Sequence, residues 1–157
     1  MNTTTEMVAN GPSSAAPVTM AEVMTPGPRT IERDQKLSEA FALMREHHLR
    51  HLPVMDDGKL VGVLSQRDRY FVEALGGGDQ ILDKVSSAMG RDVYHVAPGD
   101  LVGEVSRVMA QHRYGCAVVV DRRRVVGIFT TTDALMLLTR AYEAVGATEV
   151  TRGPCSE

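Results

Sequence analysis

The sequence lacks the features that mark several classes of protein. It has only two cysteines, Cys116 in an apolar run and Cys155 in a polar tail, and neither belongs to a Cys-x-x-Cys pair. No disulfide framework is indicated, and a reducing cytoplasm is expected. No apolar run approaches the ~18 residues of a membrane-spanning helix, and no cationic region followed by an apolar segment opens the chain. We therefore expect a soluble protein that is neither exported nor associated with a membrane.

The sequence also lacks an excess of positive charge. It carries 17 Lys and Arg residues against 20 Asp and Glu residues, which gives a formal net charge of −3 at pH 7. Proteins held to nucleic acid by phosphate contacts need a basic surface, so we expect no nucleic-acid partner. The 157 residues are 43% apolar, which is enough to bury one good core.

One nine-residue stretch occurs twice in the chain. Residues 60–68, LVGVLSQRD, recur as residues 125–133, VVGIFTTTD, a shift of 65 positions. The same shift relates further matching residues: Met24 and Met89, Glu39 and Glu104, Met44 and Met109, His47 and His112, and Asp56 and Asp121. Each copy starts with an apolar, β-branched run that contains one glycine, which predicts a buried strand. The chain therefore contains an internal duplication.

A hydroxyl and a carboxylate follow the predicted strand in each copy. Ser65 and Thr130 occupy the N-cap position of a helix, and Asp68 and Asp133 stand three residues later. One interpretation is that each pair only caps its helix. The other is that the free N–H groups of the helix start bind a phosphate while the aspartate accepts hydrogen bonds from ribose hydroxyls. Because the arrangement occurs twice, we favour ligand binding.

The first copy predicts a series of short elements. Residues 20–26 form a helical turn that ends at a proline, residues 30–31 start an extended segment, and an amphipathic helix ends near Leu49. Residues 52–55 and 60–64 form a hairpin around an Asp-Gly turn. A second helix then runs from about Gln66 to Leu75 and ends at the glycines 76–78.

The second copy predicts the same order. Its segments are a turn at 85–89, an extended piece at 94–96, a helix from about Val102, hairpin strands at 117–120 and 125–129, and a helix at about 133–145. Arg122, Arg123 and Arg124 fall at the hairpin tip, where we interpret them as a solvated turn. The predicted organisation is a flexible arm (1–18), a first repeat (19–78), a second repeat (79–146) and a tail (147–157).

This repeated order resembles the cystathionine β-synthase (CBS) domain, and two such domains in tandem resemble a Bateman module. The resemblance covers about residues 20–145 and is most specific at residues 51–56, 60–68 and 125–133. It implies an α/β (α+β) fold in which two β-α-β-β-α half-domains pack about a pseudo-twofold axis. It also implies two clefts for adenosine-containing ligands such as AMP, ADP, ATP or S-adenosylmethionine, and no cofactor.

The resemblance implies a role for particular residues. Asp68 and Asp133 would hold ribose hydroxyls, with Ser65 and Thr130 beside the ribose or phosphate. The adenine would lie between walls formed by six residues: Thr30, Ile31, Val54, His95, Val96 and Val119. Phosphate would contact Arg50, His51 and Arg67 in the first repeat.

The second repeat departs from this pattern at the phosphate positions. Gly115 and Cys116 stand where the first repeat has Arg50 and His51, and Thr132 stands at the position of Arg67. Charge-assisted hydrogen bonds to phosphate are therefore available from the first repeat alone. We expect two unequal clefts, with phosphate recognition in the first.

Catalysis and metal binding are weakly indicated. The candidate groups are His47, His48, His51, His112 and Cys116, and they form no recognisable catalytic motif. We expect no enzymatic activity. A site built from His51 and Cys116 would offer a metal fewer ligands than zinc usually requires.

The alternative to a nucleotide sensor is a dimeric protein-interaction module in which the hydroxyl–carboxylate pairs serve only as caps. The second helix of each repeat has more apolar residues than one buried stripe requires: Tyr70, Phe71 and Leu75 in the first, and Leu135, Leu137 and Leu138 in the second. We expect these helices to form a homodimer. In both interpretations a regulated partner protein is expected, which the sequence does not name.

Overall fold

The computed structural model describes residues 17–74, 83–144 and 146. The predicted arm up to residue 16, Leu75, the glycines 76–78 and the tail from residue 147 lie outside the described residues. In chain order the elements are α1 (Met20–Val23), β1 (Thr25–Pro26), β2 (Ile31–Glu32), α2 (Leu37–Glu46), β3 (His51–Asp56), β4 (Lys59–Ser65), α3 (Gln66–Ala74), α4 (Val85–Ala88), β5 (His95–Val96), α5 (Val102–His112), β6 (Cys116–Asp121), β7 (Arg124–Thr130) and α6 (Thr131–Ala144). The mixed α+β class predicted from the sequence is confirmed.

The strands form two sheets that repeat one pattern. One sheet has the order β2-β3-β4, and the other has the order β1-β7-β6-β5. In each sheet an antiparallel hairpin, β3–β4 or β6–β7, is extended by a parallel strand, β2 or β5. The hairpins even share an irregularity in register, between Val54 and Met55 in one and between Val119 and Val120 in the other. The duplication therefore extends to the details of strand pairing.

The two hairpin turns have the same backbone and different residues. Asp57 and Gly58 both have positive φ angles, 48° and 75°, as the predicted Asp-Gly turn requires. Arg122 and Arg123 take the same left-handed conformation, with φ angles of 45° and 68°. Since the left-handed region costs a residue with a Cβ about 1–2 kcal/mol, the second turn is strained at Arg123, where the first has Gly58.

The short helices are exchanged between the repeats. Met20 of α1 is fully buried in the core of the second repeat with Val96 and Phe129, and its N–H donates to the Asp100 carbonyl at 2.9 Å. Val85 of α4 is fully buried in the core of the first repeat. Strand β1 likewise pairs with β7 of the second repeat. Each repeat is thus completed by a segment that lies in the other repeat along the chain.

The exchange brings a methionine onto each strand glycine. A Cβ at Gly62 would collide with the side chain of Met89 and with the Gly90 carbonyl. A Cβ at Gly127 would collide with the side chain of Met24. The single glycine of each predicted strand is therefore the point where an exchanged segment packs against the sheet.

Each repeat has its own hydrophobic core. The first consists of Ile31, Leu37, Ala40, Met44, Leu52, Val54, Leu64, Val72 and Val85, and the second of Met20, Val96, Val105, Met109, Ala117, Val119 and Phe129. In the part of the chain that the structure describes, no helix is both long and apolar enough to cross a membrane.

Candidate functional site

The site is built around the two helix starts that the sequence singled out. The N–H and hydroxyl of Ser65 both donate to Asp68 Oδ2 at 2.7 Å. Thr130 donates to Asp133 Oδ2 in the same way, again at 2.7 Å, and the Asp133 N–H donates to Thr130 Oγ1 at 3.3 Å. The predicted pairing of hydroxyl and carboxylate is confirmed in both repeats, and the second pair makes the fully reciprocal capping box.

Between the repeats lies a cleft of about 870 Å³, here called the inter-repeat cleft. Its first-repeat wall consists of Arg50, His51, Val63, Ser65, Gln66 and Arg67. Its second-repeat wall includes Asp92, Tyr94, Tyr114, Gly115, Cys116 and Thr131, and it continues along α5 and α6. The size is within the range of pockets that enclose a small organic ligand.

The structure brings some of the predicted site residues together in this cleft. The three predicted phosphate contacts, Arg50, His51 and Arg67, line one wall together with Ser65. Asp68, Thr130 and Asp133 are half-buried at the helix starts and do not line it. Their chain neighbours Arg67 and Thr131 do, so the residues predicted to hold the ribose lie beside the cleft lining.

The predicted adenine walls are placed elsewhere. Ile31, Val54, Val96 and Val119 are buried in the two cores, at 4%, 0%, 7% and 0% exposure, and are register partners in the pairs β2–β3 and β5–β6. Thr30 and His95 are exposed. None of the six side chains lines the inter-repeat cleft. The side chains that form its walls are therefore other than those expected from the resemblance.

His51 faces the second repeat without a charge. Its ring lies against Gly115, and its buried Nδ1 has no hydrogen-bond partner among the described residues. Burial lowers the pKa of His51, and the neighbouring Arg67 and Arg50 lower it further, against a smaller opposing effect of Asp68. At neutral pH the ring is therefore neutral, and the positive charge of this wall comes from the two arginines.

Cys116, at the repeat position of His51, is buried in the second-repeat wall. Burial raises the pKa of the Cys116 thiol to about 12, so the thiol does not ionise at neutral pH and is a poor nucleophile. Among the described residues, no group of three or more His, Cys, Asp or Glu side chains is arranged to hold a metal ion.

An aromatic stack on the second-repeat wall was not predicted. The ring of Tyr114 stacks on Tyr94 and on His112, with centroids 5.3 Å apart in both pairs. The Tyr114 hydroxyl donates to Asp92 Oδ2 at 3.3 Å. Burial and the charge of Asp92 raise the pKa of Tyr114, which keeps the hydroxyl protonated. The repeat comparison gave no signal for the stack because Arg29 and Leu49 occupy the positions of the two tyrosines in the first repeat.

Comparison with known proteins agrees with this geometry. A family model described as "CBS domain" matches residues 20–69 and again residues 85–140. The chain belongs to the CBS domain family. The tandem pair predicted from the duplication is thereby confirmed, since the two matches correspond to the two repeats.

Several relatives resemble this CBS pair over most of its length. CBS domain-containing protein YhcV of Bacillus subtilis is 30% identical over 112 residues, 71% of this chain and 79% of YhcV. The structure of an acetoin utilization protein (AcuB) from Vibrio cholerae has a TM-score of 0.72 and 30% identity, and covers 86% of this chain and 100% of AcuB. The CBS domain pair of protein MJ0100, in complex with 5′-methylthioadenosine and S-adenosyl-L-methionine, has a TM-score of 0.73 and 27% identity, over 80% of this chain and 99% of that one.

Proposed function

We propose that this CBS pair is a regulatory module that binds an adenosine-containing ligand reversibly in the inter-repeat cleft and passes the signal to a partner protein in the cytoplasm. The observation that carries the proposal is the composition of the cleft, which has two arginines on one wall and two stacked tyrosines on the other. The adenosine-type ligands of the MJ0100 pair support it by similarity.

Each wall suits a different part of such a ligand. Arg50 and Arg67 offer charge-assisted hydrogen bonds to phosphate or carboxylate oxygens. Tyr94 and Tyr114 offer aromatic surface against which a purine packs. In this proposal Asp68 and Asp133 hold the ribose from the border of the cleft, as the resemblance implies. A ligand of this kind would contact both repeats and so stabilise their relative position.

The proposal does not include catalysis. The two candidate groups in the cleft are a thiol whose pKa is raised to about 12 and a histidine that lies against a glycine backbone with no partner on Nδ1. A nucleophile requires a low pKa or an adjacent base, and neither is present at Cys116. The ligand is therefore expected to leave the cleft unchanged.

Calorimetric titration of AMP, ATP and S-adenosylmethionine tests the ligand assignment. Asp68→Ala and Asp133→Ala should each weaken a ligand that binds through the ribose by about 1.5–3 kcal/mol, since each removes a charged acceptor. Because both aspartates also cap helices, the matched control is Glu22→Ala, which removes a comparable capping box at Thr19. Glu22→Ala should lower stability to a similar degree and leave binding unchanged.

Two results would contradict the proposal at different points. If the double aspartate variant binds as tightly as the parent, the ribose assignment is wrong although the ligand is right. If no adenosine compound raises the melting temperature of the parent, the ligand class is wrong, since a ligand at a hundred times its Kd adds about 2.7 kcal/mol.

A second candidate function is a dimeric interaction module, and one surface favours it. Exposed apolar side chains on α3 and α6 include Phe71 at 66%, Leu135 at 63% and Leu138 at 52% exposure, together with Tyr70 and Tyr142. Leu137, expected in the same surface, is half-buried against the second core instead. An exposed apolar surface of this extent favours association. We propose that it forms a homodimer, with or without ligand.

Light scattering tests the dimer. Phe71→Glu places a charge on the apolar surface at a residue that does not line the inter-repeat cleft, and should shift the protein toward the monomer. Leu101→Glu, at an exposed leucine outside α3 and α6, is the control and should leave the dimer intact. A parent that is monomeric at micromolar concentration would refute the dimer without affecting the ligand proposal.

A further inference from the structure

A second cavity, of about 330 Å³, lies on the first repeat between the end of α2 and the start of α3 and is here called the outer pocket. Its polar lining consists of Arg45, His48, Arg50, Gln66 and Arg69. Met44 and Leu49 supply its apolar surface. Arg50 and Gln66 also line the inter-repeat cleft, and the Gln66 N–H donates to the Arg50 carbonyl at 2.9 Å. One wall therefore separates the two cavities.

The duplication provides an internal reference for this pocket. All seven lining residues have repeat counterparts in the α5–α6 part of the inter-repeat cleft: Met109, Ala110, Arg113, Tyr114, Gly115, Thr131 and Ala134. The same groove is therefore present in both repeats. In the second it has alanine where the first has Arg45 and Arg69, and glycine where the first has Arg50. The fold does not require arginine at these three positions.

The outer pocket is rich in positive charge. Three guanidinium groups, which are always protonated, line one small cavity. Convergent arginines in a concave site are the usual arrangement for recognising phosphate.

We propose that the outer pocket binds a small oxyanion of the phosphate class, such as inorganic phosphate or diphosphate, at a site separate from the inter-repeat cleft. The guanidinium groups supply paired N–H donors, and the Gln66 amide adds a neutral donor. Arg50 is the point of contact between the two sites. An anion in the outer pocket draws Arg50 away from a phosphate in the cleft, so the two sites are antagonistic; this coupling alone rests on the proposed function.

Calorimetric titration of the protein with inorganic diphosphate, without nucleotide, tests the site. Arg45→Ala with Arg69→Ala installs the residues that the second repeat already carries at 110 and 134, and should weaken diphosphate binding at least about tenfold. The Arg45→Gln, Arg69→Gln variant removes the charge but keeps part of each side chain, and it replaces the alanine variant if that variant is unstable. The matched control is Arg122→Ala with Arg123→Ala, which removes the same charge from an exposed turn and should leave binding unchanged.

A third variant distinguishes anion binding in the outer pocket from anion binding in the inter-repeat cleft. Arg67 lines the cleft and not the outer pocket, so Arg67→Thr should retain diphosphate binding. Loss of binding in Arg67→Thr together with retention in the Arg45 and Arg69 variants would place the anion in the cleft and overturn the proposal. Equal losses in the outer-pocket and turn variants would mean that only net charge matters. Absence of diphosphate binding by the parent would mean that the arginines merely stabilise the C-terminal end of α2.

The coupling between the two sites is tested by measuring AMP binding in the presence of diphosphate. Saturating diphosphate should weaken AMP several-fold in the parent and have no such effect in the Arg45→Ala, Arg69→Ala variant, while adenosine should be unaffected in both. If the parent binds diphosphate but no adenosine compound, the anion site in the outer pocket is supported and the proposed function is wrong. If diphosphate and AMP bind independently, the site remains and the role of Arg50 as their shared contact is wrong.

Discussion

The two repeats agree in the residues that shape the backbone and differ in those that line the inter-repeat cleft. Both have a strand glycine under a methionine and a hydroxyl–carboxylate pair at the helix start. At the start of the long hairpin, Arg50 and His51 in the first repeat correspond to Gly115 and Cys116 in the second. The first repeat lines the cleft with two arginines and a histidine, whereas the second lines it with two stacked tyrosines beside Asp92 and Arg113. A duplicated module can therefore form an asymmetric cleft without any change of architecture.

The largest effect is expected from exchanging a cleft residue. Arg67→Thr gives the first repeat the residue of the second and should weaken AMP by about 1.5–3 kcal/mol, or roughly ten- to a hundredfold, because a guanidinium contact to phosphate is lost. Adenosine should bind as before. The reverse exchange, Thr132→Arg, lies outside the cleft lining and should change neither. Equal losses for AMP and adenosine would show that Arg67 only shapes the pocket.

The next effect concerns stability. Gly62→Ala should cost about 1–3 kcal/mol, because its Cβ meets the Gly90 carbonyl as well as Met89. Gly127→Ala should cost less, because only the flexible Met24 side chain has to move. Gly103→Ala, in an open position on α5, is the control and should stabilise by about 0.5–1 kcal/mol. Urea unfolding measures all three, and equal losses at 62 and 127 would contradict this account.

A smaller effect is expected at the hairpin tips. Arg123→Gly gives the second turn the glycine of the first and should stabilise by about 0.5–1 kcal/mol, since it removes left-handed strain but adds freedom to the unfolded chain. Gly58→Arg should destabilise by a similar amount. The melting temperatures of the two variants should therefore move in opposite directions. A loss of stability in Arg123→Gly would mean that the arginine makes a compensating interaction.

The smallest effect is a pH dependence that belongs to the first repeat alone. Because the pKa of His51 is lowered in the folded protein, the unfolded chain binds more protons below about pH 6.5, and stability is lost as the pH falls. His51→Gln should remove part of the stability difference between about pH 7.5 and about pH 5. His95→Gln, at an exposed histidine, is the control. Parallel pH profiles for the parent and His51→Gln would contradict the shift.

Local patterns in the sequence predicted the local parts of this structure. The Asp57-Gly58 turn, the hairpins and the two helix starts follow from turn chemistry, strand alternation and capping, which depend on neighbouring residues. The exchange of α1 and α4 could not be predicted in this way. A four-residue helix with one buried methionine is compatible with either core, and the two cores have the same design.

Part of the cleft lining was also predicted from local sequence patterns. Arg50, His51, Arg67 and Ser65 lie at the ends of predicted elements, and these ends meet in the cleft. Two of the predicted adenine-wall residues, Val54 and Val119, lie on strands that are apolar on both faces, so alternation gave no indication of which face was buried. The stack forms because Tyr94, just before β5, and Tyr114, just after α5, lie side by side in the folded chain. Local sequence patterns give no indication of this contact.

The exchanged helices also determine when the protein becomes complete during its synthesis. The ribosome makes α1 early, yet the core that buries Met20 includes Phe129, which is made near the end of the second repeat. A nascent chain interrupted before β7 leaves Met20 without Phe129 and β1 without a strand to pair with. Because these contacts close across most of the described sequence, they form late and carry the largest loop-closure cost. Truncated chains should therefore be cleaved by proteases more readily than the full-length protein.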